Sequence, residues 1–264
     1  MNGANAPLVL ITGASSGIGQ ALAQRFHAAG WRLALVARRE DELRRFVLAR
    51  SYTEHEAQVY AADVAAGASI TAAGRWCIER QGLPDAVIAN AGISAGIDSA
   101  LFEDLQVLHD TLQTNVFGIA ATFQPFIEPM RQRRRGTLVG VASVAGIRGL
   151  PGHAAYCASK AAAIAYCESL RGECRPFGVR VVTLVPGYVD TPLTRGNPYS
   201  MPFLMPAAAF ADAAFAAVLA GRSYRVIPWQ MAVVAKLLRV LPNGWFDRVL
   251  AGRTRKPRHN EAAR

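Results

Sequence analysis

A short apolar run followed at once by a glycine-rich turn constrains the fold of this chain more than any other feature. Residues 8–12 read LVLIT, and the turn that follows, GASSGIG, carries Gly13, Gly17 and Gly19. A continuous apolar run, rather than an alternating one, is typical of a parallel strand that is buried on both faces. Apolar residues then recur at helical spacing, so the pattern predicts a strand, a tight turn and a helix that begins near Ser16.

Glycines in such a turn allow the backbone to approach a pyrophosphate closely, and the positive end of the next helix attracts its charge. The spacing here is GxxxGxG, which differs from the common GxGxxG fingerprint. We predict that the turn binds a dinucleotide through Gly13, Ser15, Ser16, Gly17, Ile18 and Gly19.

The end of the second predicted strand, 32–40, indicates which dinucleotide is bound. An acidic residue at this point would hold the adenosine ribose of NAD, but the sequence reads Ala37-Arg38-Arg39. A guanidinium is a planar fork of donors that suits phosphate. NADP is therefore the predicted cofactor, with Arg38 on its 2′-phosphate. Arg39 is either a second phosphate ligand or a solvated residue of the next helix.

Further apolar segments predict the other strands of a parallel sheet, at 57–64, 84–92, 136–143, 179–187 and 224–228. Ligands bind at the carboxyl ends of such strands. The residues predicted at those ends are Asp63, Val64, Asn90, Ala91, Gly92 and Ser143. Asp63 either accepts a hydrogen bond from the adenine amino group or caps a helix, or does both. Ala91 and Gly92 allow close approach to a ribose.

Tyr156 and Lys160 lie one helical turn apart on one face if this segment is a helix. A phenol normally holds its proton until about pH 10, and a neighbouring ammonium lowers that pKa. The pair is then a proton donor that works near neutral pH, and Ser143 is placed to hydrogen-bond the oxygen that Tyr156 protonates. Taken alone, a Tyr and a Lys at this spacing are also common on helix surfaces without any catalytic role.

Asn115 falls inside a long helical pattern from about Phe102 to Met130. Buried amides need hydrogen-bond partners, so a purely structural role stays open for this residue. Pro125 and Pro129 predict a kink or an early end of the same helix.

Together these residues resemble the short-chain dehydrogenase/reductase (SDR) family, classical type, over residues 7 to 230. The resemblance rests on TGASSGIG at 12–19, NAG at 90–92, Asn115, Ser143, YCASK at 156–160 and PG at 186–187. It implies a single doubly wound α/β domain of the Rossmann type, with a seven-stranded parallel sheet flanked by helices. It also implies a homodimer or homotetramer that pairs through the long helix and the helix of Tyr156.

The resemblance further implies a role for each member of a catalytic tetrad. Tyr156 is the general acid and base, and Ser143 orients the substrate carbonyl. Lys160 lowers the pKa of the phenol and binds the nicotinamide ribose, while Asn115 helps to hold a water of the proton relay. The loop of Pro186, Gly187, Val189 and Thr191 is expected to meet the carboxamide of the nicotinamide.

The distribution of charge and the cysteine content indicate which binding partners and which cellular compartment to expect. The net charge is +10 over 264 residues, but most of it lies in RQRRR at 131–135 and in the tail after Gly252. We interpret these patches as a solvated loop and a disordered tail, not as a nucleic-acid site. The alternative that stays open is a weak acidic partner, such as an anionic membrane surface. The four cysteines have no metal-ligand spacing, so no metal is expected. They indicate free thiols in a cytoplasmic protein, and no apolar run is long enough to span a membrane.

The segment after the last predicted strand divides the chain into a Rossmann domain at 1–228 and an apolar, basic helical extension at 229–264. Residues 192–206 are predicted to form an apolar lid over the substrate. The extension has three possible places: a membrane surface, reached as a peripheral contact, a partner subunit, or the roof of the substrate pocket.

The predicted activity is an NADPH-dependent carbonyl reductase or alcohol dehydrogenase. Its small-molecule substrate would be a ketone, an aldehyde or a secondary alcohol of apolar character. Two alternatives stay open: a non-catalytic NADP-binding regulatory or scaffold protein, and a reductase of lipid or acyl ketones that acts at a membrane surface.

Overall fold

A parallel sheet forms the centre of the molecule. The computed structural model describes residues 6–252 and 256–258. The strands are β1 (Leu8–Thr12), β2 (Arg32–Ala37), β3 (Ala57–Ala61), β4 (Ala86–Ala89), β5 (Gly136–Val141), β6 (Val179–Pro186), β7 (Val189–Asp190), β8 (Met205–Pro206) and β9 (Tyr224–Ile227). The helices are α1 (Gly17–Ala28), α2 (Glu40–Ala49), α3 (Gly67–Gln81), α4 (Asp104–Leu112), α5 (Gly118–Arg133), α6 (Ala154–Cys174), α7 (Pro192–Arg195), α8 (Ala207–Leu219), α9 (Trp229–Val240) and α10 (Asn243–Leu250).

The strand order of the seven-stranded sheet is β3-β2-β1-β4-β5-β6-β9, and each neighbouring pair is parallel. This confirms the predicted doubly wound α/β fold. The chain order reverses between β1 and β4, and a crevice opens beside the carboxyl ends of strands at such a point. The short strands β7 and β8 pair with each other outside this sheet.

Both faces of the sheet are covered, as the unbroken apolar run of β1 predicts. Leu8 and Leu10 pack with α3, α5 and α6 on one face. Val9 and Ile11 pack with α1, α2 and α8 on the other. Successive side chains of a strand point to opposite faces, so a strand between two helical layers is predominantly apolar on both faces.

The long helix predicted from 102 to 130 is interrupted, but the prolines are not the cause. A π-helical turn at Gln113–Phe117 separates α4 from α5, and α5 then runs through both prolines to Arg133. Pro125 packs closely against α3, because a Cβ at Gly74 would lie 2.9 Å from its Cγ. Tertiary packing therefore outweighs the local cost of a proline inside a helix.

The C-terminal helices pack on the segment that follows β5. Met231, Ala235, Phe246 and Leu250 are buried. Arg148 donates to the carbonyls of Leu238 and Leu241 at the end of α9 and stacks 3.8 Å from the ring of Phe246. It thus satisfies carbonyls that a helix end leaves without partners. Within the described ranges, the helices are too short or too polar to cross a membrane.

Candidate active site

A cavity of about 440 Å³ opens at the carboxyl edge of the sheet. Predicted cofactor residues that line it are Gly13, Ser15, Ser16, Gly17, Ile18, Arg38, Arg39, Asp63, Val64, Asn90, Ala91, Gly92, Tyr156, Lys160, Pro186 and Thr191. The predicted residues Gly19, Gly187, Val189, Asn115 and Ser143 lie outside this lining. The lining also includes Pro192 and Leu193 of the predicted lid, and Ala37, Ala62, Ile93, Thr114, Val141 and Ala142, to which the sequence analysis gave no cofactor role.

The glycine turn brings the backbones of β1, α1 and β4 together. Gly13 has a φ of +66°, and a Cβ there would lie 2.8 Å from the Cα of Ala91. A Cβ at Gly19 would lie 2.2 Å from the carbonyl oxygen of Gly13. Gly19 therefore allows the first turn of α1 to pack directly against the glycine turn. It lies behind the residues that line the cavity.

Thr12 and Asn90 join the ends of β1 and β4. The Asn90 Nδ2 donates to the Thr12 carbonyl at 3.0 Å, and Thr12 Oγ1 accepts from the backbone N–H groups of Asn90 and Ala91 at 3.1 and 3.2 Å. The Asn90 side chain thus fixes the ends of β1 and β4 relative to each other beside the cavity. Thr12 was missed as a site residue, since a threonine at the end of a buried strand carries no special signal.

Arg38 and Arg39 line one end of the cavity. Arg39 donates to Ser15 Oγ at 3.1 Å and to Glu42 Oε1 at 2.9 Å, so it is fixed beside the glycine turn. Arg38 is more exposed and faces Asp63 across 3.9 Å. The other carboxylate oxygen of Asp63 accepts from the backbone N–H of Ala65 at 2.9 Å. Asp63 therefore caps a turn and lines the cavity at once.

The hydroxyls of Tyr156 and Ser143 meet at the other end. Tyr156 lies in the first turn of α6, with its hydroxyl close enough to the Ser143 side chain for that side chain to influence its pKa. Ser143 Oγ accepts from the backbone N–H of Ala145 at 3.2 Å. Burial raises the pKa of Tyr156, and the nearby Ser143 side chain opposes that rise. The phenol thus keeps its proton at neutral pH.

Lys160 reaches the same place from one turn further along α6. Its Nζ donates to the carbonyl of Val141 at 2.9 Å and lies 5.8 Å from the ring centroid of Tyr156. Burial lowers the pKa of Lys160 to about 8. Desolvation of the phenol is the largest influence on the pKa of Tyr156, and the ammonium is bound to a carbonyl. That Lys160 lowers the pKa of Tyr156 stays a prediction.

The side chain of Asn115 is buried in the π-helical turn and is largely hydrogen-bonded. Its Oδ1 accepts from the Ile93 N–H, while Nδ2 donates to the Ile93 carbonyl and to Ser159 Oγ, each at 2.9 Å. The amide thus ties the loop after β4 to α6, as the structural alternative for this residue anticipated. Gly92 lies beside it, and a Cβ there would be 3.4 Å from the Lys160 Nζ.

The segment after β6 links the cavity to the C-terminal helices. Thr191 lines the cavity and caps α7 in a reciprocal capping box with Thr194. A Cβ at Gly187 would lie 2.7 Å from the Cγ of Met231. Gly187 thus packs against α9, and Val189 pairs with Met205. Their contact with the carboxamide of the nicotinamide stays a prediction.

A group of rings, the lid cluster of His153, Tyr188 and Tyr199, lies next to Tyr156. His153 Nδ1 lies 3.1 Å from the Pro151 carbonyl, which only accepts, so Nδ1 carries the proton and Nε2 accepts from Tyr199 Oη at 3.3 Å. Burial lowers the pKa of His153 and raises that of Tyr199 to about 12. The sequence did not predict this cluster, because its members come from separate segments.

The fold and this site are those of an oxidoreductase family. A family model described as short chain dehydrogenase matches residues 7–199. The chain belongs to this family of dehydrogenases and reductases.

Individual relatives agree with this assignment. The chain is 39% identical over 246 residues to an "Uncharacterized oxidoreductase" of Myxococcus xanthus, covering 90% of this chain and 94% of that protein. Levodione reductase superposes with a TM-score of 0.77 at 26% identity, over 86% and 98% of the two chains. An alcohol dehydrogenase from Thermococcus sibiricus, complexed with 5-hydroxy-NADP, gives a TM-score of 0.75 at 26% identity, over 84% and 96%.

The residues present fit the nicotinamide dinucleotide that this family binds. The space at Gly13 is open only because this residue has no side chain. A Cβ there would collide with backbone atoms of Ala91. Cationic side chains lie at one end of the cavity, and a tyrosine and a lysine at the other.

Proposed function

We propose that this chain is an NADPH-dependent carbonyl reductase or alcohol dehydrogenase that acts on an apolar ketone, aldehyde or secondary alcohol. One observation carries the proposal. Tyr156 and Lys160 line one end of a cavity whose other end is lined by Arg38 and Arg39, and Ser143 lies close behind the Tyr156 hydroxyl. One end thus suits a carbonyl oxygen, and the other suits a phosphate.

The bound nicotinamide would supply the hydride. In the proposed reduction, Tyr156 gives its proton to the carbonyl oxygen. Ser143 Oγ accepts from the Ala145 N–H, and its own hydroxyl proton would turn from the Tyr156 oxygen to the same substrate oxygen. Lys160 uses one of its donors on Val141, and the others remain for a ribose hydroxyl. Its buried charge stabilises the phenolate that proton transfer leaves behind.

Asn115 is proposed as a positioning residue. Its amide already bonds both backbone groups of Ile93 and the Ser159 hydroxyl. Asn115 would then support a proton relay mainly by fixing the loop beside Lys160, and less through hydrogen bonds of its own amide.

NADP is the proposed cofactor because the end of β2 offers guanidinium groups and no carboxylate. Arg39 is fixed on Ser15, and the more exposed Arg38 extends over the adjacent part of the cavity. A related alcohol dehydrogenase whose structure contains 5-hydroxy-NADP supports this choice. Asp63, which faces Arg38, remains the proposed partner of the adenine.

The proposal is tested by NADPH consumption with a panel of ketones and aldehydes, measured from pH 6 to pH 10. We expect turnover that is level up to about pH 8 and falls above it, because the Lys160 ammonium has a pKa lowered to about 8 and is lost above that value. In Lys160→Arg the charge persists, so any remaining activity should decline only at higher pH.

NADPH binding without turnover of any carbonyl compound would contradict the proposal. It would favour the alternative of a non-catalytic regulatory or scaffold protein. Binding is followed by quenching of protein fluorescence, which is independent of the reaction.

A lipid or acyl ketone at a membrane surface is the second candidate substrate. The observation that favours it is the α9 apolar face, formed by Trp229, Val233, Leu237 and Val240, with exposed fractions of 49% to 78%. These residues recur at helical spacing, and Trp245 and Val249 of α10 are exposed as well. An apolar helix face with tryptophan and nearby cations, such as Lys236, is typical of peripheral membrane contact.

Vesicles of phosphatidylcholine with about one-third phosphatidylserine test this contact. The wild-type protein should sediment with them, and the double variant Leu237→Glu, Val240→Glu should stay in the supernatant. Leu48→Glu is the matched control, because Leu48 is 79% exposed on α2. Wild-type protein that stays in the supernatant would exclude the membrane. Point variants are preferable to truncation, since Met231 supports Gly187.

The remaining partner assignments are also proposals. Exposed Phe102, Leu105 and Phe117 near α4 and α5 support a homodimer or homotetramer. We also propose that the basic run at 131–135 is not a nucleic-acid site. The guanidinium of Arg133 donates to the Leu83 and Pro84 carbonyls and is therefore used within the protein. The four cysteines are free and buried, which is consistent with a reducing cytoplasm.

A further inference from the structure

The last described residues of the chain, the C-terminal strap at 256–258, lie across the loop that follows β4. The N–H of Gly96 donates to the Pro257 carbonyl at 3.2 Å, and Gly96 pairs with Arg258 as an isolated parallel bridge. A Cβ at Gly96 would lie 2.1 Å from the carbonyl oxygen of Lys256. The strap can therefore occupy this place only because residue 96 has no side chain.

A buried ion pair anchors the strap. Arg258 donates to both carboxylate oxygens of Asp104, at 2.9 and 3.0 Å, and to Glu103 Oε1 at 3.1 Å. Asp104 is 4% exposed and also accepts from the N–H of Asp98 at 2.7 Å. A two-point contact between a guanidinium and a carboxylate fixes geometry as well as distance. Lys256 lies two residues before this anchor, on the same strap.

Lys256 contacts the loop that follows β4, next to a residue that lines the cavity but outside the lining itself. Its Nζ donates to Ser94 Oγ at 3.1 Å. Ser94 follows Ile93, which lines the cavity and is held by Asn115. On the other side of the same loop, the N–H of Ile97 donates to Gly152, next to His153. Lys256 is also close enough to His153 for its charge to lower the pKa of that imidazole.

The ammonium of Lys256 is incompletely compensated. It is partly buried, and burial lowers its pKa. Its hydrogen-bond partner is a neutral hydroxyl, and no carboxylate of the described part of the chain forms an ion pair with it. A half-buried cation with a neutral partner favours the approach of an anion.

We infer that Lys256 is a specificity-determining residue that selects carbonyl substrates carrying a carboxylate, and that Arg258 and Gly96 position it. The inference rests on the proposed reductase function and narrows its substrate class. An oxo acid with an apolar body would place its carbonyl at Tyr156 and Ser143, its apolar part under the lid, and its carboxylate at Lys256. Each part of the site would then meet a group of matching chemistry.

The test uses oxo acids with chains of increasing length between carbonyl and carboxylate, each compared with its methyl ester. The wild-type enzyme should prefer an acid over its ester in kcat/KM. Lys256→Gln should lower kcat/KM for that acid by about tenfold to a hundredfold, mainly through KM, and leave the ester unchanged. Lys256→Arg should restore most of the preference, because it restores the charge.

Gly96→Ala tests the positioning role without altering a charge. The added Cβ should displace the strap and remove the preference for the acid as Lys256→Gln does. Gly172→Ala is the matched control, since a Cβ at Gly172 has no neighbour within 4 Å. A Gly96→Ala variant with the wild-type preference would show that the strap does not position Lys256.

The outcomes separate this inference from the proposed function. Turnover of acids and esters with equal kcat/KM, or an equal loss for both in Lys256→Gln, would overturn the role of Lys256 and leave the reductase proposal intact. Turnover of neither class would contradict the reductase proposal itself.

Discussion

Tyr156→Phe is expected to lower kcat/KM for carbonyl reduction by about a thousandfold or more, because it removes the proton that the substrate oxygen must receive. General acid catalysis by a positioned side chain typically contributes 10²- to 10⁴-fold. Here the phenol lies close to the Ser143 side chain, and burial raises its pKa and keeps it protonated. NADPH consumption with the best ketone or aldehyde is the measurement.

The ring remains in this variant, so NADPH should bind with nearly unchanged affinity. Tyr166→Phe is the matched control, since it removes a phenol hydroxyl from the same helix, and burial also raises that residue's pKa, to about 12. It should leave turnover near the wild-type level. Near-normal turnover by Tyr156→Phe would exclude this residue as the proton donor.

Arg38→Asp is expected to lower the ratio of kcat/KM for NADPH to kcat/KM for NADH by about a hundredfold. The substitution removes a donor to the 2′-phosphate and places a carboxylate where a ribose hydroxyl of NADH can be accepted. Arg38 is the better target of the pair at this end of the cavity. Arg39 is already bonded to Ser15 and Glu42, whereas the nearest carboxylate oxygen to Arg38 lies 3.9 Å away.

Arg44→Asp is the control for the long-range electrostatic effect of changing the net charge of the protein. It makes the same change in net charge on α2, where Arg44 is exposed and pairs with Glu40. A shift in cofactor preference of equal size in both variants would assign the effect to long-range charge. An unchanged preference in Arg38→Asp would remove Arg38 from the phosphate site.

Much of the cofactor cavity could be predicted because its residues stand at strand ends and turns that local sequence patterns mark. A glycine turn between a strand and a helix marks its own position, and Arg38 follows β2 directly. The alternation of strands and helices then brings the strand ends to one edge of the sheet. Lining residues such as Val141 and Ala142 escaped notice, since buried strands are apolar throughout.

Protonation and hydrogen bonding could not be predicted in the same way. The sequence places Lys160 one turn from Tyr156, but the Val141 carbonyl that binds the ammonium comes from a different strand. Asn90 and Asn115 both sit in the expected place, yet their amides hold backbone groups of Thr12 and Ile93. The partners of a side chain depend on segments that are distant in sequence.

The sequence by itself determined the doubly wound fold, the cofactor edge and the Tyr156–Lys160 pair, because helical and strand periodicity and glycine turns are local properties of a chain. Only the tertiary structure decided that the C-terminal strap returns to Gly96 and that Arg258 binds Asp104. Those contacts join residues about 150 positions apart. They depend on packing that brings distant segments together, for which a local pattern carries no signal.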